Sequence, residues 1–233
     1  DLGLGRAPGT DPLTMRALRR DRPETVDDFP REVAELQALL GDPQPGQRLI
    51  ANPGAGTRVP IWLLGSSLFS AQLAAERGLP YAFASHFAPA LLMQAIDVYR
   101  RHFKPSPSLA KPYLIIGVPL VAAPTDAEAV YLASSVFQRV LGILTGKRGK
   151  LPAPREGLME SLGPREREAI ADFLACAVIG GPQAVREGLQ ALAKQTGCDE
   201  MMFVCDVFDP TLRLRALDIA AEVTKNDGAV SKS

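Results

Sequence analysis

The chain has 233 residues, 46% apolar and 22% charged, which are the proportions of a soluble globular protein with one large or two small domains. Its 26 Lys and Arg balance 26 Asp and Glu, so it lacks the basic excess with which a protein holds a nucleic-acid backbone. Aromatic residues make up 6%, too few for a base-stacking platform, and the apolar content excludes global disorder.

In chain order, Asp1–Gly5 alternates like a strand and is followed by a turn at Ala7-Pro8-Gly9. Asp11-Pro12 predicts a capped helix over Leu13–Arg20, and the basic run Arg16–Arg22 reads as its solvated end. Asp28-Phe29-Pro30 opens a second helix, with Val33, Leu36, Leu39 and Leu40 on one stripe. Residues 41–59 carry three Pro and four Gly and read as a long connection. Val59–Leu64 is a continuous apolar run ending at Gly65, the pattern of a parallel strand covered on both faces. Ser66-Ser67 then opens a helix to Arg77, closed by Gly78 and Pro80.

Tyr81–Ser85 is predicted as a strand, Pro89–Phe103 as a helix and Tyr113–Ala122 as a strand. Thr125-Asp126 caps a helix carrying Val130, Ala133, Phe137, Val140 and Leu144. Residues 146–165, basic and rich in Pro and Gly, form an excursion that breaks the rhythm. Helices restart at Gly163-Pro164 and Gly181-Pro182, Met201–Val207 is the last strand, and Asp209-Pro210 opens a final helix to Lys225. Residues 226–233 read as a fraying polar tail. No segment reaches the ~18 apolar residues of a membrane span, and no basic-then-apolar leader is present. Cys176, Cys198 and Cys205 match no metal or CxxC spacing and read as buried free thiols of a reducing compartment, the cytoplasm.

Five strands (1–5, 61–65, 81–85, 113–122 and 201–207), each followed by a helix, predict a parallel α/β sheet. An open doubly wound sheet can be complete with five strands, whereas a (β/α)8 barrel needs eight, so pattern alone leans to the open sheet. In both, ligands bind at the carboxyl ends of the strands. Arg6 lies there after the first strand, Gly65, Ser66 and Ser67 after the second, and Ser85, His86 and Phe87 after the third, and the last strand ends with Cys205-Asp206-Val207-Phe208.

The unpaired N–H groups and dipole of a helix start, two serine hydroxyls, Ser70 one turn on and a planar guanidinium make a phosphate cradle. Gly65 would let the backbone approach the ligand. The plainer readings are a serine N-cap and a surface arginine. His86 stands at the ligand end of a strand, with a structural hydrogen bond as its alternative role; His102 reads as a solvated helix residue. No metal-ligand cluster and no GxSxG elbow occurs in the sequence.

These segments resemble the bacterial luciferase-like flavin monooxygenases. Asp1–Gly9 resembles the family's fourth strand and loop, Pro60–Pro80 its fifth strand and helix, and Tyr81–Phe87 its sixth strand. The Gly180-Gly181-Pro182 helix start, Asp199–Met202 and Arg213-Leu214-Arg215 fit as well. The family fold is a (β/α)8 TIM barrel. The resemblance therefore implies a single partial barrel domain over 1–233 made of the last five β/α units, with roughly 100 residues preceding it at barrel proportions. Such a chain is expected to be poorly soluble, oligomeric or unstable by itself, because two sheet edges stay open.

The resemblance also implies that Arg6, Ser66, Ser67 and Ser70 bind the phosphate of FMN. Ser85 falls where luciferase has a tryptophan against the isoalloxazine, and His86 would face flavin or substrate. The family's histidine near the reacting flavin has no counterpart in the chain. The implied reaction is oxidation of a small organic substrate by reduced flavin and O2, with NAD(P)H-derived electrons from a flavin reductase, in a homodimer. A non-catalytic flavin-binding shortened barrel and a deazaflavin-dependent oxidoreductase are the alternative readings.

Overall fold

The computed structural model describes residues 1–6, 28–147 and 149–225. The predicted turn at Ala7–Gly9, the helix over Leu13–Arg20 with its basic run, and the tail 226–233 lie outside the described residues. The chain divides into two compact units, Asp1–Phe83 with Gln94–Leu114, and Ala84–Met93 with Ile115–Ser233.

The first unit is a parallel three-strand layer: β1 (Leu2–Gly5), β2 (Ile61–Gly65) and β3 (Tyr81–Phe83), in that order. Leu2 pairs with Ile61, and Leu63 with Tyr81. Ile61 and Leu63 are buried, while Leu64 keeps 42% of its surface exposed. β2 is therefore buried on one main face, not on both as its unbroken apolar run suggested. α1 (Asp28–Leu40) buries Val33. The 41–60 connection closes back on α1, with Gly56 N–H donating to Gly41 O (2.8 Å) and Arg58 N–H to Leu40 O (2.9 Å).

α2 (Leu68–Arg77) ends at Gly78, whose φ of 60° is left-handed and whose missing Cβ leaves room for the Lys104 carbonyl. α3 (Leu92–His102) places Tyr99 in the core of this unit. The Tyr99 hydroxyl donates to Leu79 O at 2.9 Å and accepts from Tyr113 N at 3.1 Å, so one side chain ties two loops together. The predicted strand 81–85 is shorter than expected, because Phe87 N–H turns back to Ala84 O (2.9 Å).

In the second unit, β4 (Leu114–Ala122) is buried along its whole length. α4 (Asp126–Leu144) begins at Thr125, whose hydroxyl accepts from Glu128 N as the sequence predicts. Leu132, Val136, Phe137 and Val140 of α4 are buried. With 19 residues and mean hydropathy 1.2, α4 is long and apolar enough to cross a membrane by composition. This corrects the expectation that no segment reaches that length; its buried stripe is that of a core helix.

The excursion contains the short α5 (Leu158–Ser161) and leads into α6 (Pro164–Phe173), where Gly163 N–H donates to the Glu166 carboxylate at 2.8 Å. β5 (Val178–Gly180), absent from the five-strand prediction, pairs in parallel with Leu120–Ala122, so six strands are described. α7 (Pro182–Thr196) follows, then β6 (Glu200–Val204), which pairs with residues 115–119 of β4, and α8 (Pro210–Lys225). β5 and β6 thus use successive stretches of one strand. Of the three free thiols, Cys176 is buried, whereas Cys198 and Cys205 are only partly so, which corrects the expectation of three buried cysteines.

Candidate functional site

In the first unit the carboxyl ends of β1 and β2 bring Arg6 to the start of α2. The Arg6 guanidinium lies 4.4 Å from the centroid of the Phe69 ring, which holds the cation over the first helical turn. Among the described residues Arg6 makes no ion pair. Ser67 occupies the N-cap position with extended backbone (φ −134°, ψ 162°), yet its hydroxyl makes no capping hydrogen bond. Among the described residues the helix start therefore has no side-chain cap for its N–H groups, which lie beside an arginine and two serine hydroxyls, the donor set of an anion site.

Ser70 is placed differently from the expectation. It is buried; its hydroxyl donates to Ser67 O at 2.8 Å and meets the Tyr81 hydroxyl at 3.1 Å. Tyr81 is fully buried, and burial pushes its phenol up to about 12, so it remains a neutral hydrogen-bonding group. Ser70 joins β3 to α2 and orients the serine loop from beneath. Gly65 also has a more specific role than room for a ligand. A Cβ there would lie 2.1 Å from Ser70 Oγ and 2.5 Å from Ser70 Cβ. It is the Ser70 side chain that approaches the backbone.

The second unit contains His86. Its ring lies against β4, where a Cβ on Gly117 would come within 2.4 Å of His86 Nδ1. That nitrogen is buried and makes no hydrogen bond among the described residues. Burial lowers the His86 pKa; the Asp206 carboxylate opposes this and Arg139 reinforces it. Arg139 and Asp206 form an ion pair at 2.7 Å. The neighbouring Ser85 is fully buried and donates to Gly117 O at 2.6 Å, so its hydroxyl fixes the turn that carries His86. The Phe87 ring packs with its centroid 4.2 Å from that of the imidazole. His102 is exposed on its helix, with Nδ1 at 3.0 Å from Val98 O, as predicted.

Sequence reasoning missed Phe69, Tyr81 and the Arg139–Asp206 pair. An aromatic residue in the first turn beside the serines was a usable signal for Phe69. Asp206 was legible as a residue at the end of the last strand, but its pairing with Arg139 and the contact of Tyr81 with Ser70 join residues distant in sequence and carried no local signal.

The sequence pattern of the luciferase-like monooxygenase family matches residues 5–200. A luciferase-like monooxygenase of Escherichia coli strain K12 is 43% identical over 223 residues, covering 96% of this chain and 67% of that protein. Uncharacterized protein YvbT of Bacillus subtilis strain 168 is 44% identical over 229 residues, covering 97% and 67%. The chain therefore spans about two thirds of the length of these relatives. Among solved structures, apo-MsnO8 matches with a TM-score of 0.82 at 34% identity, covering 97% of this chain and 68% of that one. The oxygenating constituent of 3,6-diketocamphane monooxygenase from Pseudomonas putida, solved in complex with FMN, shares the fold with a TM-score of 0.56 at 18% identity, covering 94% and 70%. By sequence and by its parallel α/β fold, the chain belongs to the luciferase-like monooxygenase family.

Proposed function

We propose that this protein is an FMN-dependent oxidoreductase of the monooxygenase type that holds the cofactor's phosphate at the start of α2. The observation that carries the reading is the stacked Arg6 beside a helix start that Ser67 leaves without a side-chain cap. A dianionic phosphate suits this donor set. The guanidinium supplies a charge and a planar fork, the helix supplies oriented N–H groups, and Ser66 and Ser67 supply hydroxyl donors. Ser70 contributes by holding the Ser67 carbonyl, and Gly65 by admitting Ser70.

Flavin, when bound, supplies the redox chemistry with O2 and an organic substrate, with electrons originating from NAD(P)H. His86 is the second unit's candidate: its Nδ1 packs against Gly117, and the rest of the partly exposed ring is the part offered to a ligand. A flavin reductase and a homodimer complete the proposal. We read β1, β2, β3, β4 and β6 as strands of a (β/α)8 barrel, with β5 as an addition.

The test compares FMN with riboflavin, which lacks the phosphate, by quenching of flavin fluorescence. Arg6→Ala, or Ser66→Ala with Ser67→Ala, is expected to weaken FMN by about tenfold or more, the value of a charge-assisted hydrogen bond, and to leave riboflavin unchanged. Equal FMN affinity in wild type and variants overturns the assignment.

A further inference from the structure

We propose that a cleft in the second unit binds a small amphipathic organic anion, a carboxylate or sulfonate on a short apolar body. This deepens the substrate side of the reading above and rests on it only in naming the ligand a substrate. The cleft has a volume of about 540 Å³, the size of a small-molecule site, and Phe87, Ile143 and Phe173 line it with apolar surface. Phe87 exposes 64% of its surface, yet its ring is backed by His86 at 4.2 Å, so it presents a held aromatic face.

Among the described residues, Lys147, Lys150 and Arg139 are the charged members of the lining, and no carboxylate is among them. Asp206 neutralises Arg139. The two lysines are exposed and form no ion pair among the described residues, which leaves an uncompensated positive rim. The whole chain has a formal net charge of zero, so this excess is local. A cationic rim over an apolar floor discriminates ligands by charge as well as by shape.

The backbone at Lys147 turns back onto α4, and the later part of the excursion is tied to the same helix. A Cβ on Gly142 would lie 2.8 Å from Lys147 O, so this glycine lets the turn fold back onto α4. Farther along, Gln138 Nε2 donates to Ala153 O at 2.9 Å, and Arg155 N–H donates to Ser134 Oγ at 2.7 Å. A purely structural role exists for Lys147, since a cation after a helix complements the dipole. Binding separates the two roles.

Phenylbutyrate and its neutral amide are titrated calorimetrically into the wild-type chain and into Lys147→Gln/Lys150→Gln. The wild type is expected to bind the acid about tenfold more tightly than the variant does, since each exposed charge contributes a few-fold at low salt. Added salt should narrow this gap. The amide should bind both proteins equally. Equal binding of the acid by both proteins, or no binding of either ligand, overturns the proposal. FMN titration in parallel keeps the readings apart. Loss of FMN binding with the acid still bound defeats only the flavin assignment, and the converse defeats only the cleft. A melting curve unchanged by the substitutions confirms that the variant is folded.

Discussion

Gly65→Ala tests the base of the serine loop. The new methyl would sit 2.5 Å from Ser70 Cβ, more than 1 Å inside an ordinary carbon–carbon contact, and 2.1 Å from the hydroxyl. Rotating Ser70 moves the hydroxyl but not the Cβ, so α2 must shift away from β2. Overpacking of this kind costs about 1–3 kcal/mol. The shift also strains the Ser70–Tyr81 hydrogen bond, worth about 0.5–1.5 kcal/mol net, while the Tyr81 hydroxyl keeps Ser67 O at 3.3 Å. A loss of about 1.5–4.5 kcal/mol in urea unfolding is expected, large against the roughly 5–15 kcal/mol that holds a domain. Ser70→Gly removes the clashing carbon, so Gly65→Ala added to Ser70→Gly should cost under about 1 kcal/mol beyond Ser70→Gly alone. If Gly65→Ala unfolds at the wild-type urea concentration, or if Ser70→Gly gives no rescue, the close approach is not what fixes this glycine.

Tyr99→Phe removes the bridge between Leu79 O and Tyr113 N and should lower stability by about 1–3 kcal/mol, because both backbone groups lose a buried partner. Hydrogen exchange at the Tyr113 amide should accelerate; protection equal to wild type would contradict the bridge. For His86, the folded pKa lies below the ordinary value of about 6.5, so the unfolded chain binds the proton more readily. Its contribution is complete above pH ~6.5 and is lost as pH falls through the folded pKa. His86→Gln should flatten the decline in melting temperature on that acidic side, and an identical decline in both proteins would assign the acid sensitivity elsewhere.

The elements written in long local patterns were legible in the sequence. β4 is an apolar run of nine residues, and α4 announces itself with Thr125 and a helical stripe. β5 was not, because three residues between two helices carry no periodicity and its partner is the end of a strand more than 50 residues earlier. Ser85 extends the apolar alternation of β3, but its hydroxyl bonds Gly117 O, a tertiary contact that no local pattern encodes. The same holds at the cradle. The sequence offers Gly65, Ser66, Ser67 and Ser70 as a group, since a glycine before paired serines at a helix start is a local signal. That Ser70 faces Tyr81, and that Ser67 leaves its cap unmade, follows from packing between elements.

The pairing of β5 with the tail of β4 has a consequence for how this fold tolerates change. The chain leaves Ala122 and returns beside it at Gly180, and the exit is stitched by Gly181 N–H donating to Asp126 Oδ1 at 2.6 Å. Everything from α4 to α6 is thus a cassette with a sewn neck, while β6 keeps its own register on residues 115–119. Lengthening such a cassette changes closure entropy only logarithmically. Most of the cleft wall, from Gln138 to Phe173, belongs to it. Ligand preference could therefore be rewritten by exchanging this cassette, with the strands beneath left untouched.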